Sequence, residues 1–217
     1  MRVVEVFNSI DGEGIRAGEL ATFIRLAGCN LRCIYCDTKY ALNSNHGSEI
    51  TLADLYRKIK KEAYHNITLT GGEPLNQEET LKLVQQLCGD GYNVNIETNG
   101  SKDIEPFLLM DNCILTMDYK MPYSRQENKM LLENIEKLRS SDVLKFVCAE
   151  SDLSRLKEVL MQYHIKANIY LSPVFNQIEP KKLVEFLKDN YQLVKNLKIK
   201  VQLQLHKYIW DPEDRGV

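Results

Sequence analysis

Cys29, Cys33 and Cys36 stand in the order Cys-x3-Cys-x2-Cys directly after an apolar run. Three thiols are one fewer than a structural zinc site uses, whereas a cubane 4Fe–4S cluster held by three thiolates leaves one iron open to a cofactor or substrate. Soft thiolates in a short loop suit iron–sulfur chemistry, and Tyr35, beside the last cysteine, would shield a cluster from water. The competing reading is half of a zinc knuckle with His46 or a distant residue as fourth ligand. Against it, His46 lies in the polar stretch Asn-Ser-Asn-His-Gly-Ser, and no second cysteine pair follows.

Other candidate groups stand at the ends of short apolar or β-branched runs. Thr70-Gly71-Gly72-Glu73-Pro74 exposes backbone groups without side-chain obstruction, and Pro74 fixes the exit of the chain. Alone, the same five residues read as a strand-to-helix turn. Glu97-Thr98-Asn99-Gly100 closes the next run, and Asn-Gly is also a common turn pair. Asp118-Tyr119-Lys120 and Ser172-Pro173-Val174-Phe175 close two later ones, where a plain strand terminus is the competing reading.

The elements that must position these groups alternate. A first strand contains Leu20–Ala27. Residues 52–64 carry apolar side chains at helical spacing with Thr51 as N-cap, and 66–70 form a β-branched strand. Helix 78–88, stopped by Gly89, leads to strands at 93–98 and 113–118. Helix 126–139, strand 143–148, helix 152–163, strand 167–171, helix 180–188 and strand 198–204 follow. Strands alternating with helices of about ten residues imply βαβ units, hence an α/β fold with a mostly parallel sheet, open or closed into a partial barrel. In both architectures the reactive groups lie at the C-terminal ends of strands, where the candidates fall. No repeat, low-complexity stretch or linker interrupts the sequence, so residues 1–217 read as a single domain.

Composition narrows the function classes. The chain is 44% hydrophobic and 27% charged with a formal net charge of −2, which gives no basic excess for nucleic acid. No apolar run approaches the roughly 20 residues that span a bilayer. The N-terminal segment turns polar too soon for a signal peptide, so a cytoplasmic protein is expected. Six cysteines are too few for a disulfide scaffold and point to ligation or catalysis in a reducing compartment. Cys88, Cys113 and Cys148 are expected singly in the core, His65 and His164 in solvent, and Arg57–Lys61 on a solvated helix face.

The Cys-x3-Cys-x-Tyr-Cys order, spelled out with its aromatic, followed by Gly-Gly-Glu and Glu-Thr-Asn-Gly, resembles the radical S-adenosylmethionine (SAM) superfamily. That resemblance implies a partial (βα) barrel and a SAM molecule on the open iron. It places Tyr35, Cys36, Asp37, Gly72, Glu73, Glu97, Asn99, Asp118, Lys120 and Ser172 around SAM. Two further segments narrow the likeness: Phe7-Asn8-Ser9-Ile10-Asp11-Gly12-Glu13-Gly14 with Phe23-Ile24-Arg25-Leu26-Ala27-Gly28-Cys29, and His206-Lys207-Tyr208-Ile209-Trp210-Asp211-Pro212. Together, from Val4 to Pro212, they resemble the 7-carboxy-7-deazaguanine synthase family of the deazapurine (queuosine) pathway. This second resemblance implies substrate contacts from Ile10, Asp11, Gly12, Arg25, Thr70 and Pro212, a Mg²⁺ ligand in Thr38, and residues 206–217 as a substrate-capping segment beside the cluster loop 29–38. Asp11 stands where the family often has Gln, Thr116-Met117-Asp118-Tyr119-Lys120 where many members have Ser-Pro-Lys, and Leu205 where Thr is usual.

The activity implied is ring contraction of 6-carboxy-5,6,7,8-tetrahydropterin to 7-carboxy-7-deazaguanine with release of ammonia. It would draw on an external donor of the flavodoxin or ferredoxin type, and the enzyme is expected as a homodimer. Two roles also stand on chemistry alone. Arg25 offers a bidentate fork for a carboxylate or pterin carbonyl. A threonine hydroxyl such as Thr38 can hold Mg²⁺ when water and substrate oxygens complete an octahedron. The alternatives are a radical SAM activating enzyme, which would need a partner-binding groove but neither terminal segment, and a zinc scaffold.

Overall fold

Alternation of period two sets the sheet. In Asn93–Thr98, Val94 and Ile96 take one face while Asn95 and Glu97 take the other. The same pattern repeats in neighbouring strands, with apolar residues to the outside and Thr68, Thr116 and Lys145 to the inside. The computed structural model of the chain describes residues 1–212 and 214–217.

The elements run β1 (Arg2–Ile10), β2 (Leu20–Leu26), β3 (Ser48–Glu49), α1 (Leu52–Glu62), β4 (Asn66–Gly71), α2 (Thr80–Gly89), β5 (Asn93–Thr98) and β6 (Cys113–Tyr119). They continue α3 (Asn134–Lys137), β7 (Val143–Cys148), α4 (Leu153–Gln162), β8 (Asn168–Pro173), α5 (Pro180–Asp189), α6 (Tyr191–Val194), β9 (Ile199–Val201) and α7 (His206–Ile209). Among the described residues nine strands form one sheet in the order β3-β1-β2-β4-β5-β6-β7-β8-β9. β1 is antiparallel to β2 and β3, and every pairing from β2 to β9 is parallel. The expected mostly parallel α/β sheet is therefore present.

The sheet curls on itself. Gly14, just beyond β1, gives its N–H to Gln202 Oε1 at 2.7 Å and accepts from Gln202 Nε2 at 3.0 Å. Gln202 follows β9, three strands past β6 and far from β1 in the sheet order, so the two margins meet as in a partial barrel. Helices cover the outside: Leu55 and Ile59 of α1, Leu83 and Leu87 of α2, Leu156 and Val159 of α4, and Leu183 and Phe186 of α5 join the sheet's outer face in one apolar cluster. Each such fully buried side chain contributes about 1.5–3 kcal/mol, which leaves the inner face free to be polar.

Thr51 caps α1 as expected, its hydroxyl accepting from the Asp54 N–H. The expected helix over 126–139 is not formed. Its first half is drawn under the cysteine loop, where Gln126 Oε1 accepts from the Arg32 N–H and Leu131 N–H donates to Gly100 O. Only a 3₁₀ turn at Glu127–Lys129 and the four residues of α3 remain helical. The strand expected over 198–204 shortens to β9, because Gln202 turns away to bind Gly14. α2 begins at Thr80 and includes Gly89 instead of stopping before it. Cys113 and Cys148 are buried, but Cys88 is half-buried with its thiol against that of Cys113, so those two do not sit singly. His65 and His164 face solvent, as do Arg57, Lys58, Lys60 and Lys61.

Candidate active site

The cysteine loop leaves β2 through Gly28, whose φ of +93 favours glycine. It is held against the end of β4. Gly72 N–H donates to Leu26 O at 2.9 Å and Glu73 N–H to Gly28 O at 2.9 Å. A Cβ on Gly71 or Gly72 would run into backbone atoms of Leu26 or of Gly28 and Cys29. The glycine pair is thus required by close approach of two chains, a reason more specific than exposed backbone.

Glu73 ties this junction to the next strand. Its carboxylate is buried and accepts from Leu75 N at 3.0 Å, Thr98 Oγ1 at 2.8 Å and Asn99 N at 2.6 Å. Burial still raises its pKa despite those donors. Asn99 in turn donates from Nδ2 to Asn30 Oδ1 at 3.1 Å and lies 3.7 Å from Cys29 Sγ. The three motifs found separately along the sequence are one interlocked structure.

Below that rim, the inner face carries a buried charge network. Lys145 on β7 places Nζ 2.9 Å from Glu13 Oε2 and 3.0 Å from Asp118 Oδ1. Lys120 Nζ is 2.7 Å from Asp118 Oδ2, and Ser172 Oγ donates to Glu13 Oε1 at 3.2 Å. Thr70 donates to Glu97 Oε2 at 2.7 Å. Burial alone would raise Asp118, but Lys120 and Lys145 outweigh it and hold that carboxyl below its ordinary range. Glu97 lacks such close cations, and burial raises it.

Arg25 shares the inner face with Thr70, its register partner on β4. Its Nε donates to Glu5 Oε1 at 2.6 Å, and its guanidinium lies 5.6 Å from the Phe7 ring and 5.8 Å from the Tyr40 ring. Held at Nε, it presents the rest of its fork. Asp11 is differently engaged: Arg16 Nε at 2.9 Å and Thr68 Oγ1 at 2.5 Å occupy its carboxylate, whose pKa burial raises in spite of Arg16. Ile10 ends β1, half-buried.

The C-terminal segment closes over the site. Leu205 N–H donates to Gly12 O at 3.0 Å, and the His206 ring lies where a Cβ on Gly12 would stand. Burial lowers the His206 pKa. Lys207 Nζ meets Asp37 Oδ2 at 2.8 Å and, with the Thr38 hydroxyl donating to Asp37 Oδ1 at 2.9 Å, overcomes the effect of burial and keeps that carboxyl well below its usual value. α7 therefore bridges the segment after β1 and the end of the cysteine loop. Pro212 lies exposed beyond it, and Glu213 of the expected capping segment 206–217 lies outside the described residues.

The donor set fits an iron–sulfur cluster with SAM. Cys29, Cys33 and Cys36 are free, half-buried thiols, with N–H groups of Leu31 and Thr38 directed at the sulfurs of Cys29 and Cys36. Among the described residues no three His, Cys, Asp or Glu side chains converge on a single ion. A zinc ion needs that convergence, whereas a cubane takes its thiolates on separate irons. Tyr35 stacks on Tyr123 with ring centroids 6.3 Å apart, and its buried hydroxyl has no hydrogen-bond partner. An orphaned hydroxyl in a small apolar cluster with Val147, Ala149 and Val174 suits the purine of SAM.

Sequence reasoning missed Glu13 and Lys145, the centre of the network, and Arg16, which anchors Asp11. The available signal was the strand Val143–Cys148, where a lone lysine interrupts five apolar residues on the same alternating face as Asp118.

A model of the radical SAM superfamily matches residues 23–187. The 7-carboxy-7-deazaguanine synthase of Clostridium acetobutylicum is 44% identical over 100% of this chain and 99% of its own length. That of Leptospira interrogans is 37% identical over 99% and 97%. The crystal structure of QueE from Escherichia coli shares the fold with a TM-score of 0.72 over 93% of each chain, at 23% identity.

Proposed function

Since the chain belongs to the radical SAM superfamily and, within it, to the 7-carboxy-7-deazaguanine synthase family, we propose that its site contracts the ring of 6-carboxy-5,6,7,8-tetrahydropterin to 7-carboxy-7-deazaguanine and releases ammonia. The observation that supports this most is the joining of residues 29–38, 71–74 and 97–100 into one rim over a polar, charged inner face. Cys29, Cys33 and Cys36 would hold the 4Fe–4S cluster, with SAM on the side of Tyr35, Gly72, Asn99, Asp118, Lys120 and Ser172. When bound, these groups supply the 5′-deoxyadenosyl radical that takes a hydrogen atom from the carbon bearing the substrate carboxylate.

The residues bind, orient and exclude water. The free part of the Arg25 fork receives the substrate carboxylate or ring carbonyl, while Glu5 keeps the guanidinium aimed. Glu13 and Glu97 offer carboxyl oxygens to the N–H groups of a pterin, and Lys145 keeps Glu13 in place. Thr38, beside Asp37, supplies a hard oxygen for Mg²⁺ with substrate and water oxygens completing the shell. The Asp37–Lys207 pair ties α7 to the end of the cysteine loop at the edge of the site. Glu73 acts at one remove, as the positioning residue of the rim. Ile10, Asp11, Gly12, Thr70 and Pro212 complete the proposed substrate contacts. Arg16 and Thr68 occupy the Asp11 carboxylate, and its backbone N–H and C=O are bonded to Glu19 O and Gly18 N, so Asp11 positions this segment.

A cytoplasmic homodimer served by a small one-electron carrier belongs to the same proposal. Among the described residues no helix is long and apolar enough to cross a membrane. Anaerobic incubation of iron-loaded protein with SAM, dithionite and carboxytetrahydropterin should give 7-carboxy-7-deazaguanine by mass spectrometry. SAM cleavage with the pterin returned unchanged would refute the substrate.

A further inference from the structure

Beyond Pro212 the chain turns back onto the sheet. Asp214 N–H donates to Asp211 O at 2.9 Å, and after that turn Gly216 and Val217 are half-buried. Gly216 lies over β1, where a Cβ on it would stand 4.0 Å from both Glu5 Oε2 and Phe7 Cγ. Arg215, between turn and strand, lays its guanidinium on the Tyr40 ring, 4.1 Å from the centroid.

Tyr40 joins that arginine to a second one. Arg25 faces the same ring at 5.8 Å. The Tyr40 hydroxyl donates to Glu5 Oε1 at 2.9 Å, the same oxygen that accepts from Arg25 Nε at 2.6 Å. A free carboxylate can take both arms of an arginine fork. Here the Tyr40 hydroxyl shares Oε1 and Gly216 borders Oε2, so Glu5 grips Arg25 at Nε and leaves its terminal nitrogens to a ligand. But Glu5 also cancels the charge of the arginine that it aims. Arg215 is the further cation brought to this cluster, and Arg25, Glu5 and Arg215 are the charged groups whose fields act on Tyr40.

We propose that Arg215 is a positioning residue for an anionic substrate. Through Tyr40 and Glu5 it fixes the Arg25 fork, and its charge restores the attraction for a carboxylate that Glu5 removes. This deepens the substrate reading and rests on Arg25 as the receiver of the substrate carboxylate.

The test is anaerobic equilibrium dialysis of iron-loaded protein with SAM and no reductant. The two probes are 6-carboxytetrahydropterin and tetrahydropterin, which lacks the carboxylate. Arg215 is exposed, so Arg215→Ala leaves the core untouched. It should bind the carboxylated pterin about tenfold more weakly and the other within about twofold of the parent. Arg215→Lys should stay within about threefold of the parent for both, because an ammonium also binds a ring face. Tyr40→Phe, which keeps the ring and drops the hydroxyl from Glu5, should weaken the carboxylated pterin alone. In an Arg25→Ala background, Arg215→Ala should add less than about twofold, the signature of two residues acting through one contact. In turnover, Arg215→Ala should raise KM more than it lowers kcat.

Binding like the parent's in Arg215→Ala or Tyr40→Phe would overturn the proposal and leave the substrate reading standing. So would equal losses for both pterins, a lysine variant as weak as the alanine one, or a full further loss in the Arg25→Ala background. A parent with no preference for the carboxylated pterin would overturn the substrate reading and the proposal with it.

Discussion

Replacing Lys145 with Met tests the buried network at its centre. The ammonium is 2.9 Å from Glu13 and 3.0 Å from Asp118, with a side chain 7% exposed. Methionine fills similar volume, so the loss is electrostatic and not a cavity. Lys120 would then be the one ammonium among these residues left to face Glu13, Glu97 and Asp118, and it contacts only Asp118. Removing one partner of a buried pair costs about 3–5 kcal/mol, a large share of the usual stability of about 5–15 kcal/mol. In a chain of this size that lowers the midpoint of thermal unfolding by roughly 6–20 °C.

The pH dependence has a definite sign. Burial already raises Glu97, and loss of Lys145, which opposes that rise and helps hold Asp118 low, lets both carboxyls move up. A carboxyl whose folded pKa lies above its unfolded value favours the folded state at low pH and loses that contribution as pH rises through the folded value. The deficit of Lys145→Met should therefore be greatest near pH 8 and shrink toward about pH 5.5. Urea unfolding of the reduced apoprotein across that range, with Lys145→Arg as the charge-retaining control, measures it. A deficit under about 1 kcal/mol, or one that grows on acidification, would refute the reasoning.

Cys29→Ala, Cys33→Ala and Cys36→Ala should each prevent retention of a 4Fe–4S cluster, while a combined Cys88→Ser, Cys113→Ala, Cys148→Ala variant keeps it. Iron and sulfide analysis after anaerobic reconstitution decides. Gly72→Ala places a Cβ 2.8 Å from Cys29 N and should cost about 1–3 kcal/mol and most of the retained iron, whereas unaltered iron content would show that the junction yields. Arg25→Ala should weaken substrate capture by about 2–4 kcal/mol in equilibrium titrations and leave SAM affinity nearly unchanged, and equal losses in both would remove it from the substrate side.

Much of the site was legible because its residues interrupt or end strands. Cysteine spacing, Gly-Gly and Asn-Gly are local signals, and the parallel sheet carries each to the same rim. What bound them together was not legible. That Glu73 accepts from the Asn99 N–H is a contact between strand ends set by the register of β4 on β5. Lys145 was hidden for a related reason: a strand of five apolar residues reads as core, and only the curl of the sheet shows that its alternate face meets Glu13 from beyond β1. Helix 126–139 failed because periodicity cannot register competition from tertiary contacts. Asn134 spends its amide on Gly100 O and Lys102 O, which pins the segment against the rim. Asp11 was legible as a functional position but not as half of an ion pair, since Arg16 follows five residues later around a turn.

The central claim, that this protein contracts a pterin ring with SAM serving as a catalyst, is tested most directly by stoichiometry. Iron-loaded protein is incubated anaerobically with reductant, limiting SAM and an excess of carboxytetrahydropterin, and 7-carboxy-7-deazaguanine, ammonia and 5′-deoxyadenosine are counted together. The account predicts one ammonia per product and several products per SAM present, because the abstracted hydrogen is returned. Accumulation of 5′-deoxyadenosine with no deazaguanine, or SAM spent one for one with product, would contradict it.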